Sequence, residues 1–253
     1  VGHTVQLFDL EHFEDVMRWM YSVHNDIHKD VEIVIVSMTP PAPEGQEAKR
    51  VLVVSGVALT ESQEASEEAS KLFLTNPILD KAIVSKFAKI STLAEQREDQ
   101  IRANPEGWRY FVDNIWVDGD TEEIIQRIKP LFVDIPEPEG FTIWFSMGPV
   151  RHLPDMALSM QSPAYVAAYL LSENENHDGA NRKWLDDAMV HAQPVTKGTY
   201  LGDSDFGNRQ LKFMEDENYA RLQQIIADRD PENLFVRYLA KDPSTLNKNH
   251  WEL

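Results

Sequence analysis

Two histidines of the first predicted helix, His24 and His28, are spaced to offer nitrogen ligands to one metal ion. Residues four apart lie on the same face of a helix, and Asp26 stands between them. The flanking sequence lacks the glutamate of a zinc-peptidase motif, and a solvated polar helix end equally explains both side chains. A metal hydrolase is therefore the lowest-ranked interpretation, and we predict no metal site.

Residues 198–206 carry a second group of candidate side chains. The segment reads as a short strand that breaks into a polar turn, so Tyr200, Asp203 and Asp205 leave regular structure and can face a cleft. Both aspartates also suit a structural role, because turns commonly use such residues. Ordinary core packing competes in the same way with a substrate-facing role for the aromatic residues Tyr110 and Trp144.

Several motifs that would assign a chemistry are missing. The sequence has no Gly-x-Gly-x-x-Gly or Walker-type phosphate loop and no Gly-x-Ser-x-Gly nucleophile elbow. It contains no cysteine, which excludes disulfides, thiol nucleophiles, iron–sulfur clusters and a flavin attached through sulfur, and which leaves the compartment open. A Ser-His-Asp triad assembled across the fold stays an open alternative.

The charge balance restricts the classes of partner. The 253 residues include 24 Lys and Arg against 42 Asp and Glu, a formal net charge of −18, which repels phosphate backbones and anionic lipid. No apolar run approaches the roughly 18 residues of a membrane-spanning helix. Neither nucleic acid nor a membrane is therefore a predicted partner.

Hydrophobic spacing predicts the elements that position the candidate residues. Helices are predicted after Asp9, over 61–74, after Thr121 with an early end at Pro130, over 182–190 and over 218–226. Strands are predicted over 5–8, 31–38, 51–59, 108–117, 141–147 and 164–171, whereas the polar stretch 85–107 has no assigned element. Links too short for crossover helices favour an α+β fold, an antiparallel sheet with helices on one face.

Two motifs near the C-terminus resemble those of the berberine-bridge-enzyme-like branch of FAD-linked oxidases. The family patterns Asn-aromatic-x-Arg-Leu and Asp-Pro-x-Asn-x-Phe stand at 218–222 and 230–235, at the expected separation. The family's preceding Tyr-x-Asn-Tyr/Glu segment corresponds to Tyr200-Leu-Gly-Asp203, in which Gly202 replaces Asn and Asp203 replaces Tyr or Glu. The aromatic stretch 108–116 also resembles the family's substrate domain.

The resemblance implies a division of the chain into two parts. Residues 1–195 would form the substrate-binding domain, and residues 196–253 a C-terminal segment that packs with the flavin region. The family's N-terminal FAD-binding domain is absent from this sequence, so FAD would be held mainly by that other domain or chain. The other implied partner is a small organic substrate, an alcohol, sugar, amine or alkaloid-like molecule.

The resemblance also implies roles for individual residues. Tyr200, Gly202 and Asn218 are expected near the cofactor, although capping of a helix start also explains Asn218. Asp203, with Tyr200, is the implied catalytic residue, because oxidation of such a substrate needs a base beside the flavin. The expected substrate-facing residues are Tyr110, Trp144 and Asp205, and Asp205 is the alternative base.

One rival interpretation comes from a different class of protein. A stand-alone α+β module would use the face of its sheet to bind a small ligand or a protein partner, without catalysis. The missing phosphate loop fits this interpretation as well as it fits an oxidase whose cofactor domain lies elsewhere.

Overall fold

A computed structural model describes residues 1–41, 45, 47–232 and 234–235, and one antiparallel sheet runs through this part of the chain. Its eight strands are β1 (Gly2–Asp9), β2 (Val31–Met38), β3 (Val51–Ala58), β4 (Val84–Ile90), β5 (Arg109–Val117), β6 (Phe141–Ser146), β7 (Ala164–Ser172) and β8 (Thr196–Gly198). Their spatial order is β4-β1-β3-β2-β6-β7-β5-β8, and every neighbouring pair is antiparallel. The predicted antiparallel pairing of β2 with β3 is confirmed.

The described helices are α1 (Phe13–Val23), α2 (Gln63–Ala69), α3 (Leu93–Ala103), α4 (Thr121–Val133), α5 (Asp178–Ala192) and α6 (Asp216–Arg229). The helices α1, α4 and α5 pack side by side on one face of the sheet. The predicted α+β class, with an antiparallel sheet and helices on one face, is confirmed.

The two faces of the sheet differ because side chains alternate along each strand. The helical face buries the main core, in which the rings of Phe13 and Phe132 lie 5.0 Å apart. The opposite side, here called the open face, is formed around Trp116, Ile143, Phe145, Tyr165, Ala167 and Tyr169. Ile143, Phe145 and Tyr169 are only half-buried. The open face is thus an aromatic surface with room for a further layer.

In two stretches the observed elements differ from the predicted ones. Few of their residues are buried, so the sequence there has little hydrophobic periodicity. The polar stretch 85–107 contains β4 and α3, yet Ala88 is the one buried residue of β4 and no residue of α3 is buried. The predicted helix over 61–74 divides into α2 and a 3-10 turn, Lys71–Thr75.

The helix α4 continues past Pro130, so the predicted early end was wrong. Tertiary contacts hold its last turn: the Thr142 hydroxyl donates to the carbonyl of Leu131, and the Ser37 hydroxyl donates to that of Phe132. These two bonds satisfy helix-end carbonyls inside the core, where burial favours continuation. Asp120, rather than Thr121, caps the start of this helix.

The C-terminal segment joins the same sheet, because β8 pairs with β5. Beyond it, Phe206, Phe213 and Met214 form a small apolar cluster with Tyr219 and Leu222 of α6. None of the helices in the described ranges combines the length and apolar character needed to cross a bilayer.

Candidate functional site

The carboxylate of Asp203 lies over the open face, where two phenols hold it. Asp203 ends a short 3-10 turn, Leu201–Asp203. The hydroxyl of Tyr165 donates to Asp203 Oδ2 at 2.5 Å, and that of Tyr169 donates to the same oxygen at 2.9 Å. The two tyrosines are four residues apart in β7, so both point to the same face. We call these three residues the tyrosine–aspartate cluster.

The environment keeps both phenols protonated. Burial raises the pKa of Tyr165 and Tyr169 far above the usual range, and the neighbouring Asp203 carboxylate raises it further. Each hydroxyl is therefore a fixed donor at neutral pH. Among the described residues no hydrogen bond reaches Asp203 Oδ1, so this oxygen can accept a proton from a molecule on the open face.

Tyr200 stands at the solvent side of the cluster. Its ring meets that of Tyr165 edge-on, with centroids 6.1 Å apart and planes at 86°, and 40% of its surface is exposed. Gly202 makes room for this ring, because a Cβ at position 202 would lie 2.5 Å from Tyr200 Cε1. Three residues singled out in the sequence, Tyr200, Gly202 and Asp203, thus form one local structure.

Asp205 follows Ser204 and has no hydrogen bond to the cluster in the described structure, and its substrate-facing role stays a prediction. The Asp205 carboxylate forms an ion pair with Arg182 of α5 at 2.7 Å. Its backbone carbonyl accepts the N–H groups of Asn208 and Arg209. Asp205 therefore builds the turn and ties it to α5.

Trp144 is a core residue, and its predicted substrate-facing role was wrong. It points to the helical face, is completely buried, and its indole N–H donates to the Tyr21 hydroxyl at 3.1 Å. The neighbours Ile143 and Phe145 have the opposite direction in β6 and point to the open face. Aromatic residues occupy both faces of this strand, so composition alone does not indicate which one meets a ligand.

Neither Tyr110 nor Asn218 has a hydrogen bond to the cluster in the described structure. Tyr110, 38% exposed, lies near the start of β5 opposite Leu171, and its hydroxyl donates to the carbonyl of Pro105. Asn218, in the first turn of α6, donates its amide to the carbonyl of Met156 at 3.0 Å. In the described structure Asn218 thus anchors the connection between β6 and β7 to α6, and its expected place beside a cofactor stays a prediction.

The second family-like motif, at 230–235, begins with a turn. The buried Asp230 carboxylate accepts the backbone N–H groups of Leu234 and Phe235. Asn233 of the same motif lies outside the described residues.

The two histidines considered as metal ligands have other surroundings. His24 packs beside Gly148, and burial lowers its pKa. The His28 Nδ1 accepts the backbone N–H of Asp30 at 3.2 Å. Within the ranges that the structure describes, no three His, Cys, Asp or Glu residues are placed to hold a metal ion.

Sequence reasoning missed Tyr165, Tyr169 and Asn114. The tyrosines fall in an apolar run that reads as a buried strand, and the signal was their spacing of four, which places both on one face. Asn114, in β5, is buried and its side chain bonds to Thr199, Tyr200 and Ser204. A buried asparagine within an apolar strand was the available signal.

Comparison with known proteins gives two sets of similarities, and no family model matches the chain. The FAD-linked oxidoreductase nodO of Hypoxylon pulicicidum is 25% identical over 218 residues, covering 85% of this chain and 47% of the relative. The FAD-linked oxidoreductase penO of Penicillium crustosum is 24% identical over 219 residues, with the same shares covered. The chain thus spans about half the length of the curated relatives it matches.

Solved structures share the fold. Aclacinomycin oxidoreductase matches with a TM-score of 0.70 and 15% identity, covering 94% of this chain and 54% of that one. BBE-like 1 of Physcomitrella patens gives 0.67 and 12%, with 94% and 53% covered. Berberine bridge enzyme from Eschscholzia californica gives 0.62 and 13%, with 93% and 54% covered. The chain is thus similar in sequence to about half the length of the fungal FAD-linked oxidoreductases, and it shares its fold with a part of berberine bridge enzyme and BBE-like 1.

Proposed function

We propose that the chain is the substrate-binding half of an FAD-dependent oxidoreductase that oxidises a small organic substrate, an alcohol, sugar, amine or alkaloid-like molecule. The observation that carries the proposal is the tyrosine–aspartate cluster on the open face. A carboxylate with one oxygen held by two phenols and the other without a described partner is suited to removing a proton. The fungal relatives are named FAD-linked oxidoreductases.

The open face suits the flavin ring of FAD but not its diphosphate. Its half-buried apolar and aromatic side chains, Ile143, Phe145 and Tyr169, offer a flat surface on which a flavin ring can rest. By contrast, the sequence contains no glycine-rich phosphate loop for the diphosphate. The residues present therefore fit the ring, and we assign the phosphates to the FAD-binding domain.

The proposed partner domain would also cover the other half of the open face. On strands β1, β2 and β3 this face carries half-buried apolar side chains, namely Val5, Leu7, Val34, Val36, Val53 and Val57. A continuous apolar surface of this kind typically marks an interaction site. Covering it with the FAD-binding domain would enclose the substrate between the two parts.

In the proposed reaction Asp203 Oδ1 takes the proton from the substrate O–H or N–H group. Tyr165 and Tyr169 hold Oδ2, so they fix the direction of Oδ1 without losing their own protons. Bound FAD would supply the acceptor for the hydride that leaves the neighbouring carbon. The substrate loses two electrons and two hydrogens, one as the proton on Asp203. Tyr200 lines the exposed side of the site.

The test is the Asp203→Asn substitution in the full-length protein that includes the FAD-binding domain. A missing general base typically lowers turnover by about 10²–10⁴-fold, so we expect a loss of that order with flavin content unchanged. The matched control is Asp205→Asn, which changes an aspartate two residues away whose carboxylate pairs with Arg182. Turnover equal to that of the unmodified protein in Asp203→Asn would remove Asp203 from the mechanism.

A further inference from the structure

We infer that Asn114 is a positioning residue that sets the geometry between Asp203 and the two phenols. The inference rests on the proposed role of Asp203 as the proton acceptor. Asn114 is completely buried in β5, and its amide uses both of its ends. Nδ2 donates to the Tyr200 carbonyl at 3.0 Å and to Ser204 Oγ at 3.1 Å. Oδ1 accepts from the Tyr200 N–H at 2.7 Å and from the Thr199 hydroxyl at 3.0 Å.

These bonds fasten the turn on both sides of Asp203. Thr199 and Tyr200 precede the aspartate, and Ser204 follows it directly. The Thr199 and Ser204 hydroxyls also lie 2.6 Å apart, which closes the segment into a ring around the asparagine side chain. A shift of the flanking residues relative to β5 would therefore break bonds to a buried amide, and leaving such an amide unpaired costs about 1–3 kcal/mol.

The sheet places the same asparagine in register with the phenols. Asn114 pairs across the strands with Ala167, the residue midway between Tyr165 and Tyr169 in β7. The β5–β7 ladder thus fixes Asn114 relative to both hydroxyl donors. One residue connects the strand that supplies the donors to the turn that supplies their acceptor.

A second contact secures the far end of the segment. The Arg209 Nε donates to Asp113 Oδ2 at 2.5 Å, and its Nη2 donates to the Asn114 carbonyl at 2.9 Å. Burial raises the pKa of the Asp113 carboxyl, while Arg209 opposes this effect. The segment 199–209 is therefore held against β5 through Asp113 and Asn114, two neighbouring residues of that strand.

The experiment reads the phenols directly in the 253-residue chain labelled with ¹³Cζ-tyrosine. The NMR signals are assigned with Tyr165→Phe and Tyr169→Phe, and Asp203→Ala defines their positions without the hydrogen bonds. We expect Asn114→Ala to move both signals in the direction of Asp203→Ala, although Asn114 bonds to neither phenol in the described structure. Signals at their original positions in folded Asn114→Ala would overturn the inference.

The matched control is Asn76→Ala, which removes another buried asparagine. Asn76 bonds to Gln6 and to the backbone N–H of Ile78, at the β1 end of the sheet. Asn76→Ala should lose about as much stability as Asn114→Ala, and it should leave both tyrosine signals in place. If Asn114→Ala does not fold, Ser204→Ala decides the matter. It removes a single anchor, so smaller shifts in the same direction support the inference and unmoved signals refute it.

Turnover of the full-length flavoprotein separates this inference from the proposed function. We expect Asn114→Ala to lower kcat at least 10-fold with KM changed less than threefold, because it displaces Asp203 without touching substrate. Shifted tyrosine signals together with full turnover in Asp203→Asn would support the positioning geometry and refute the base. Unmoved signals together with a large loss of turnover in Asp203→Asn would support the base and refute the role of Asn114.

Discussion

The Tyr165 hydroxyl lies 2.5 Å from Oδ2 of Asp203, a contact that joins the centre of the sheet to a turn 38 residues away in sequence. Removing this hydroxyl with Tyr165→Phe should leave Oδ2 held by Tyr169 alone. A hydrogen bond to a charged group contributes about 1.5–3 kcal/mol, so we expect kcat to fall about 10-fold or more in the full-length protein. Steady-state kinetics of the FAD-loaded protein measure this.

The control for that prediction is Tyr110→Phe. The Tyr110 hydroxyl donates to the carbonyl of Pro105 on the exposed end of the same sheet face. Its removal should leave kcat within twofold. Equal losses in the two variants would mean that the effect of Tyr165→Phe does not come from the bond to Asp203.

Gly202→Ala should move the ring of Tyr200. The added Cβ would lie 2.5 Å from Cε1 of that ring, and an exposed side chain can swing away at little cost in stability. We therefore expect a KM at least threefold higher, with the free energy of unfolding changed by less than about 1 kcal/mol. Gly207→Ala is the control, because its nearest neighbour is Asp205 Oδ1 at 3.4 Å, an ordinary contact. An unchanged KM in Gly202→Ala would refute a substrate-lining role for Tyr200.

Trp144→Phe should mainly lower stability, whereas Phe145→Leu should mainly change KM. The reason is that adjacent residues of β6 point to opposite faces of the sheet. Trp144→Phe removes a buried indole and its bond to Tyr21, so the free energy of unfolding should fall by about 2–4 kcal/mol. Its kcat/KM should stay within twofold. Phe145→Leu changes the open face, so it should alter KM while costing less than about 1.5 kcal/mol. Urea unfolding and steady-state kinetics of both variants check this, and a change of KM in Trp144→Phe alone would contradict the assignment of faces.

The fold was largely predictable because strands such as β2 are short runs rich in Val and Ile, the composition typical of strands. The site was predictable only in its turn, where Tyr200, Gly202 and Asp203 are neighbours in sequence. Its other half was not, since Tyr165 and Tyr169 approach Asp203 through strand register rather than local spacing. Trp144 shows the same limit: an aromatic strand does not reveal from its sequence which face is covered.

An ion-pair network between α1 and α4 predicts how stability depends on pH. Hydrogen bonds from Lys129 and Arg18 lower the pKa of Glu14 from 4.5 to about 2. The pKa of Glu14 in the folded state lies below its value in the unfolded state. The charged Glu14 carboxylate therefore stabilises the fold, and this contribution is fully present above about pH 4.5. It is lost as the pH falls from there towards 2, where Glu14 becomes protonated in the folded state as well.

Glu14→Gln should therefore be less stable than the unmodified chain at pH 7, and the difference should shrink as the pH is lowered below 4.5. Urea unfolding at pH 7, 4 and 3 measures the free energy of unfolding of Glu14→Gln and of the unmodified chain. Glu123→Gln is the control, because Glu123 lies 3.7 Å from Arg127 in a single exposed pair on the same helix. It should show a smaller difference at every pH. A difference for Glu14→Gln that is the same at pH 7 and pH 3 would contradict the depressed pKa, since only a charge that disappears between those values can remove the contribution.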